Sequence, residues 1–263
     1  GPRWNFRPRS RPCSRPNCRL GSRPYCRLGS RPCCRLRSRG AGGPGVEASR
    51  HMSGCAAESA TFRMNVALSG LPSFTSLPGP GDHLTAGIIT APSLDYMDRA
   101  YLTARTEGWS AEPIVEMLIP STLDDSLAPE GAHVASLFCQ HFPYEVRGGW
   151  EANREKVADH ILSTVDTYAP GFKASVVGRL ALSPVDLEER FGLVGGDIFH
   201  GKMGLDQLFS ARPMLGHADY RMPLRGLYLC GSGAHPGGGV TGAPGHNAAK
   251  AVLADRRKFR RQK

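Results

Sequence analysis

"GSGAHPGGGVTGAPGHNAAK" (residues 231–250) carries seven glycines and two prolines directly before an alanine-rich run. Upstream, Leu227 to Cys230 reads as an apolar strand. Downstream, Ala248, Ala249, Val252 and Leu253 give one packing face of a helix running to about Asp255, with Pro244 suited to its first turn. A strand, a glycine loop and a helix start together make an anion site, because the first helical N–H groups are unpaired and the helix dipole favours negative charge. Without Cβ atoms, glycines 237, 238, 239, 242 and 245 let a flat or charged ligand lie on the main chain. The residues alone leave a second reading open, a surface loop with a tight helix–strand contact. No Gly-Lys-Ser/Thr follows the glycines, so this is not a Walker loop.

Working back toward the amino terminus, "TFRMNVAL" (61–68) alternates Phe62, Met64, Val66 and Leu68 with Arg63 and Asn65, the period-2 pattern of a half-buried strand. "LTAGIIT" (84–90) predicts another strand. A helix follows, capped by Ser93 and closed by Gly108, with Leu94, Met97, Tyr101 and Leu102 along its packing face. Two strands are expected at about 113–119 and 132–142. Trp150, Val157, Ile161, Val165 and Tyr168 fall at helical spacings, "SVVGRLAL" (175–182) is strand-like, and "SPVDLEERFG" is a short helix with Ser183 as its cap and Gly192 as its stop. Strands interleaved with helices predict an α/β or mixed α+β enzyme domain.

Charge divides the chain differently. Residues 1–50 hold thirteen arginines and one acid, a charge of +12, and residues 256–263 add +6; taking both from the chain's +10 leaves −8 for residues 51–255. The leader repeats an eight-residue unit, "SRPNCRLG" (14–21), "SRPYCRLG" (22–29) and "SRPCCRLR" (30–37). Proline in every unit, like charge and few aliphatics cannot offset a chain entropy of about 1–2 kcal/mol per residue, so residues 1–55 are expected to be disordered. "CSRPNC" (13–18) and "GAGGPG" (40–45) mimic a redox disulfide and a dinucleotide loop, but neither adjoins a core strand or helix. Five of eight cysteines lie within residues 1–50, which is no disulfide framework for the folded part and suggests a reducing compartment. Residues at metal-ligand spacing and a G-x-S-x-G nucleophile are both missing from the sequence, so neither metal nor nucleophilic hydrolysis is expected. No apolar run reaches the roughly 18–20 residues of a membrane span, and no secretory signal is read.

"LYLCGSGAHPGGGVTGAPGHNAA" (227–249) closely resembles the terminal flavin-binding segment of the phytoene desaturase-like branch of FAD-dependent amine oxidoreductases. "GGDIFHGKMGLDQLFSARP" (195–213), "FRMNVALSGLP", "PSTLDDSLAPEGAHVASLFCQHFPY" and "TYAPGF" are similar to the same group, and the resemblance covers about residues 60–254. It implies a two-domain flavoprotein, with a Rossmann-like domain for FAD and a mixed-sheet domain on the substrate side. Here that would be a leader (1–55), a substrate-side domain (56–225), a strand, glycine loop and helix of the FAD domain (226–255) and a basic tail (256–263). The residues implied to lie against FAD are Gly231, Ser232, Gly233, His235, Gly237, Gly238, Gly239, Val240 and Thr241. The reaction implied is dehydrogenation of an apolar or amine-like small molecule by hydride transfer to the flavin. His200 and Lys202 are implied to face the flavin's reactive edge or a substrate acid, and a structural contact is the alternative for His200. His235 could donate to a flavin or phosphate oxygen, or simply fix the loop. Arg212 could touch a phosphate or form a surface ion pair. Asp206 and Gln207 are expected to orient their own segment.

The family's amino-terminal strand, G-x-G-x-x-G loop and helix do not precede Ala60, which points to an N-terminal FAD-binding half elsewhere or to a protein partner. One helix terminus contributes about 0.3–2 kcal/mol to anion binding, against about 4–15 kcal/mol lost on association, so weak flavin retention is expected. A catalytically silent interaction module is the alternative function. A basic nucleic-acid binder ranks below it, since leader arginines bind such polymers without specificity. The resemblance implies a mitochondrial matrix or inner-membrane-face location for a eukaryotic source and a cytoplasmic one for a bacterial source.

Overall fold

Alternation in 61–68 produces the strand it predicts. In the computed structural model, which describes residues 55–57 and 60–261, β1 spans Thr61–Leu68 and buries Phe62, Met64, Val66 and Leu68 on one face. The leader and its two motif mimics lie outside the described residues, apart from Cys55. Further strands are β2 (Ile88–Thr90), β3 (Val115–Leu118), β4 (His133–Gln140) and β5 (Val176–Leu182), in the order β2-β3-β4-β1-β5. The helices are α1 (Leu94–Glu107), α2 (Gly149–Tyr168), α3 (Phe172–Ser175), α4 (Pro184–Phe191) and α5 (Ala243–Arg261).

Every neighbouring pair in this sheet is antiparallel, which corrects the expected mixed sheet. The reason lies in the order of insertion. β4 and β5 are both antiparallel to β1 and so run the same way, joined by α2 as a parallel crossover requires, but β1 sits between them. The helix therefore crosses one strand, and parallel strands never become neighbours. The fold is mixed α and β with an antiparallel sheet.

Packing of α2 on the buried face makes the core. Trp150, Val157, Ile161, Leu162 and Val165 meet Phe62, Met64, Val66, Leu137 and Met117. The Phe62 ring lies 5.6 Å from both the Phe142 and Trp150 rings, and the Trp150 Nε1 donates to the Tyr144 carbonyl at 2.9 Å, so the indole is both buried and satisfied. At the start of α4 the Ser183 hydroxyl and the Asp186 carboxylate cap each other's backbone. Arg154 on α2 grips Asp186 at 2.7 and 2.8 Å. Burial raises the Asp186 pKa, but the Ser183 and Arg154 bonds outweigh it and hold the carboxyl below its usual range.

Three local expectations need correction. Helix α1 has its predicted caps, Ser93 accepting from the Tyr96 N–H and Gly108 in the left-handed region, but it turns another face inward. Tyr96 and Ala100 are buried against Ile114, the Tyr96 hydroxyl donating to the Pro113 carbonyl at 3.0 Å, while Leu94 is 82% exposed and Met97, Tyr101 and Leu102 are exposed with it. Small Ala100 permits the close approach that the bulkier stripe would block. Only Ile88–Thr90 of the predicted strand 84–90 is extended, because Asp82–Thr85 coils into a 3-10 turn that buries Leu84. Leu227–Cys230 is not a sheet strand: it makes a single antiparallel bridge, Tyr228 to Arg221, and no other strand lies beside it among the described residues. None of the described helices is long and apolar enough to cross a membrane.

Candidate functional site

From Leu193 to Gly242 the chain forms short turns rather than regular strands, and one side chain fastens them together. Arg212 is 2% exposed. Its Nε donates to the Ser232 carbonyl at 2.9 Å, its Nη1 to the Gly201 and Gln207 carbonyls at 3.3 Å each, and its Nη2 to Phe199 at 2.6 Å and again to Ser232. Burial pulls its pKa down, against the charge of buried Asp197. Its protein partners are backbone carbonyls rather than a surface acid. A planar fork of five N–H donors suits this convergence of carbonyls, and Arg212 staples the glycine loop to the 199–207 segment.

Around this staple opens a pocket of about 340 Å³, lined by Cys55, His200, Gly201, Gln207, Arg212, Pro213 and the backbone from Leu229 to Gly233. Gln207 orients the segment as expected: its Oε1 accepts from the Ala56 N–H at 2.7 Å and its Nε2 donates to the Ala56 and Lys202 carbonyls at 3.0 and 3.1 Å. Asp206 is exposed. Burial pushes the Cys55 thiol up, with Arg212 acting the other way. Cys55 had no signal in the sequence beyond its position at the end of the leader, and Cys230 only its place at the end of an expected strand.

The predicted residues divide into three sets. Gly231, Ser232 and Gly233 line the pocket with His200, and a Cβ on Gly233 would lie 3.6 Å from the His200 Cβ, an ordinary contact. Gly237 and Gly238 instead meet protein: a Cβ there would come within 2.8 Å of the Met203 methyl and 2.4 Å of the Phe199 ring. The bareness of these two serves packing. Gly239, Val240 and Thr241 are exposed ahead of α5, and the Thr241 hydroxyl accepts from the Ala243 N–H at 3.2 Å, as a cap would. Lys202 is exposed and does not line the pocket; its backbone N–H donates to the Ala56 carbonyl at 2.8 Å. His235 gives its carbonyl to the Tyr220 hydroxyl at 3.0 Å, while its Nδ1 is buried without a hydrogen-bond partner.

Beyond the loop, α5 runs to Arg261, past the expected end near Asp255. Pro244, Ala248 and Ala251 are its buried positions, whereas Ala249, Val252 and Leu253 are exposed, which corrects the predicted packing face. Two polar side chains of α5 decide that rotation. Asn247 donates to the Tyr220 hydroxyl at 2.9 Å, and Asp255 accepts from Arg221 and Tyr228, each at 2.8 Å. Those bonds hold the Asp255 pKa down at about 2.

Gly238→Ala is expected to lower the free energy of unfolding by about 1–3 kcal/mol, the usual range for overpacking. Urea titration measures it, and Phe199→Ala in the same chain should recover much of the loss. Strict additivity of the two changes would show that the ring does not press on this glycine.

No family model matches the chain. Among curated proteins it is 29% identical over 148 residues to phytoene desaturase (lycopene-forming) of Pantoea ananas, covering 51% of this chain and 27% of that one. It is also 29% identical over 156 residues to a limonene dehydrogenase polypeptide of Castellaniella defragrans, covering 57% and 28%. The chain is thus distantly similar to the phytoene desaturase-like oxidoreductases. Its likeness is stronger to the carboxyl-terminal half of one member, pyridine nucleotide-disulfide oxidoreductase domain-containing protein 2: 49% identity to the Rattus norvegicus protein over 207 residues, covering 75% of this chain and 36% of the relative. The chain spans little more than a third of that relative's length.

Proposed function

We propose that this chain provides the substrate side and the terminal cofactor contact of an FAD-dependent dehydrogenase acting on an apolar or amine-like small molecule. The observation that carries the reading is the pocket where Gly231–Gly233 and His200 meet around the Arg212 staple. The residues fit a flavin nucleotide in part. Bare backbone at 231–233 and exposed residues 239–241 at the start of a 19-residue helix suit an anionic, flat group, and the partnerless Nδ1 of His235 is a polar atom that a ligand would satisfy. At Gly237 and Gly238 the side a Cβ would take is filled by Met203 and Phe199, so any contact they make with the cofactor is through main chain on the other side.

Bound FAD would supply the hydride acceptor; the protein's share is orientation and electrostatics. Gly231–Gly233 hold main chain against the ligand, Arg212 fixes their position, and His200 faces the pocket where a substrate or the reacting edge would lie. Lys202, two residues further on, lies outside the pocket lining. An apolar substrate suits the uncovered face of the sheet, where Ile89, Leu118 and Leu180 are exposed. With part of the site supplied by another chain or segment, affinity for free flavin is weak.

Titration of FAD fluorescence with the full chain tests this. Weak but saturable quenching is expected, with at least tenfold loss in Gly233→Leu, whose side chain would fill the pocket. Equal quenching by the two proteins, or none up to the flavin's solubility limit, would overturn the reading.

A further inference from the structure

Helix α1 leaves a stripe of large apolar side chains in water. Leu94, Met97, Tyr101 and Leu102 are 42–82% exposed, and their steps of three and four residues keep them along one side of the helix. Buried Tyr96 and Ala100, which seat α1 on Ile114, fall at other positions, so the helix is anchored without using the stripe. Two exposed charges sit among the stripe residues. Asp98 lies four residues from both Leu94 and Leu102, and Arg105 lies four from Tyr101 and three from Leu102. The Arg105 Nη1 donates to the Tyr101 hydroxyl at 3.2 Å and its guanidinium lies 5.7 Å from the ring centroid, which holds the positive charge over the stripe. Arg99, on the far side of the helix, is paired with Glu112, whereas no ion pair engages Asp98 or Arg105 among the described residues.

We propose that this face of α1 is the interface of a two-fold homodimer, in which α1 packs antiparallel against α1 of a second copy. Charge complementarity selects the occupant. A two-fold contact joins one patch to itself, so the patch must match its own image turned end for end. This one does: Leu94 and Met97 of one copy meet Tyr101 and Leu102 of the other, and Asp98 in the amino-terminal half comes within reach of Arg105 in the carboxyl-terminal half, twice over. Antiparallel helix dipoles add to the attraction. A parallel pair would instead set like charges and like dipole ends at the same level.

Sedimentation equilibrium of the full chain over a range of concentrations, at low ionic strength where exposed charges are least screened, tests the proposal. A reversible monomer–dimer equilibrium is expected, and a weak one, because a helix about 21 Å long buries less than the roughly 1,600 Å² of a standard interface. Leu94→Asp should raise the dissociation constant by roughly tenfold or more. Asp98→Arg and Arg105→Asp should each raise it several-fold, since each sets two like charges against each other. An equimolar mixture of those two variants should recover the wild-type constant, because each carries the charge that the other has lost. The substituted positions are all exposed, so unchanged circular dichroism and thermal midpoints will confirm that the variants fold. The proposal fails if the chain stays monomeric throughout, which would leave the stripe to a different partner. It fails equally if Leu94→Asp leaves self-association unchanged, or if the mixture associates no better than either variant alone.

Discussion

Arg212→Leu is expected to release the glycine loop from the 199–207 segment and to weaken the carboxyl-terminal part of the structure by about 3–5 kcal/mol. The magnitude follows from what the guanidinium holds. Hydrogen bonds to a charged group contribute about 1.5–3 kcal/mol each, and a buried acceptor left without a donor costs about 1–3 kcal/mol. Four carbonyls, of Phe199, Gly201, Gln207 and Ser232, lose their donor at once. Some of them open to the pocket and recover water, which keeps the total below the plain sum. Arg212→Lys should rescue little, because one ammonium cannot span carbonyls arranged around a planar fork. Hydrogen exchange gives the decisive readout: residues 197–213 and 229–238 should lose protection while 61–68 and 133–140 keep theirs. Unchanged exchange in the loop would mean that the staple is dispensable. The same variant should lose the FAD quenching attributed to Gly231–Gly233.

Phe62→Ala should act on the other end of the molecule and lower the free energy of unfolding by about 3–5 kcal/mol, the range for emptying a large aromatic site. Phe62 is fully buried on the middle of the sheet, and its ring touches both the Phe142 loop and Trp150 at the start of α2. Backbone around it is fixed on both sides by β4 and β5, so the site has little room to collapse. Urea unfolding followed by Trp150 fluorescence measures the change, together with a fall in the thermal midpoint. A loss below about 1 kcal/mol would show that α2 is not seated on β1.

What could be read from the sequence was local. Alternation in 61–68, the Ser93 and Ser183 caps and the glycine stops at 108 and 192 all depend on neighbours within a few residues, and all are present. The strand order depends on which segment enters between which others, and no window of sequence encodes the insertion of β1 between β4 and β5. Helix α1 misled because its larger side chains, Leu94, Met97, Tyr101 and Leu102, form the more obvious stripe, while Tyr96 and Ala100 make the contact. At the site, the structure brings Gly231–Gly233 and His200 to one pocket, a meeting of segments thirty residues apart that no local pattern announces. Arg212 could not be read as a staple, since an arginine between alanine and proline looks like surface until its acceptors, up to twenty residues away, are brought to it. Gly238 posed the same difficulty in reverse, since nothing near it in sequence shows that Phe199 fills the space a Cβ would need.

Placing β1 between two strands that come later in the chain has a consequence for how the protein is made. Residues 61–68 emerge first, yet their second partner is not complete until residue 182. Through that interval a strand with a fully apolar face presents one open rim, the condition under which nascent chains pair with the wrong neighbour. Loop closure across more than a hundred residues sets the pace of sheet completion, so a chaperone that shields β1 during synthesis would raise the yield of folded protein more than any added strength in the finished core.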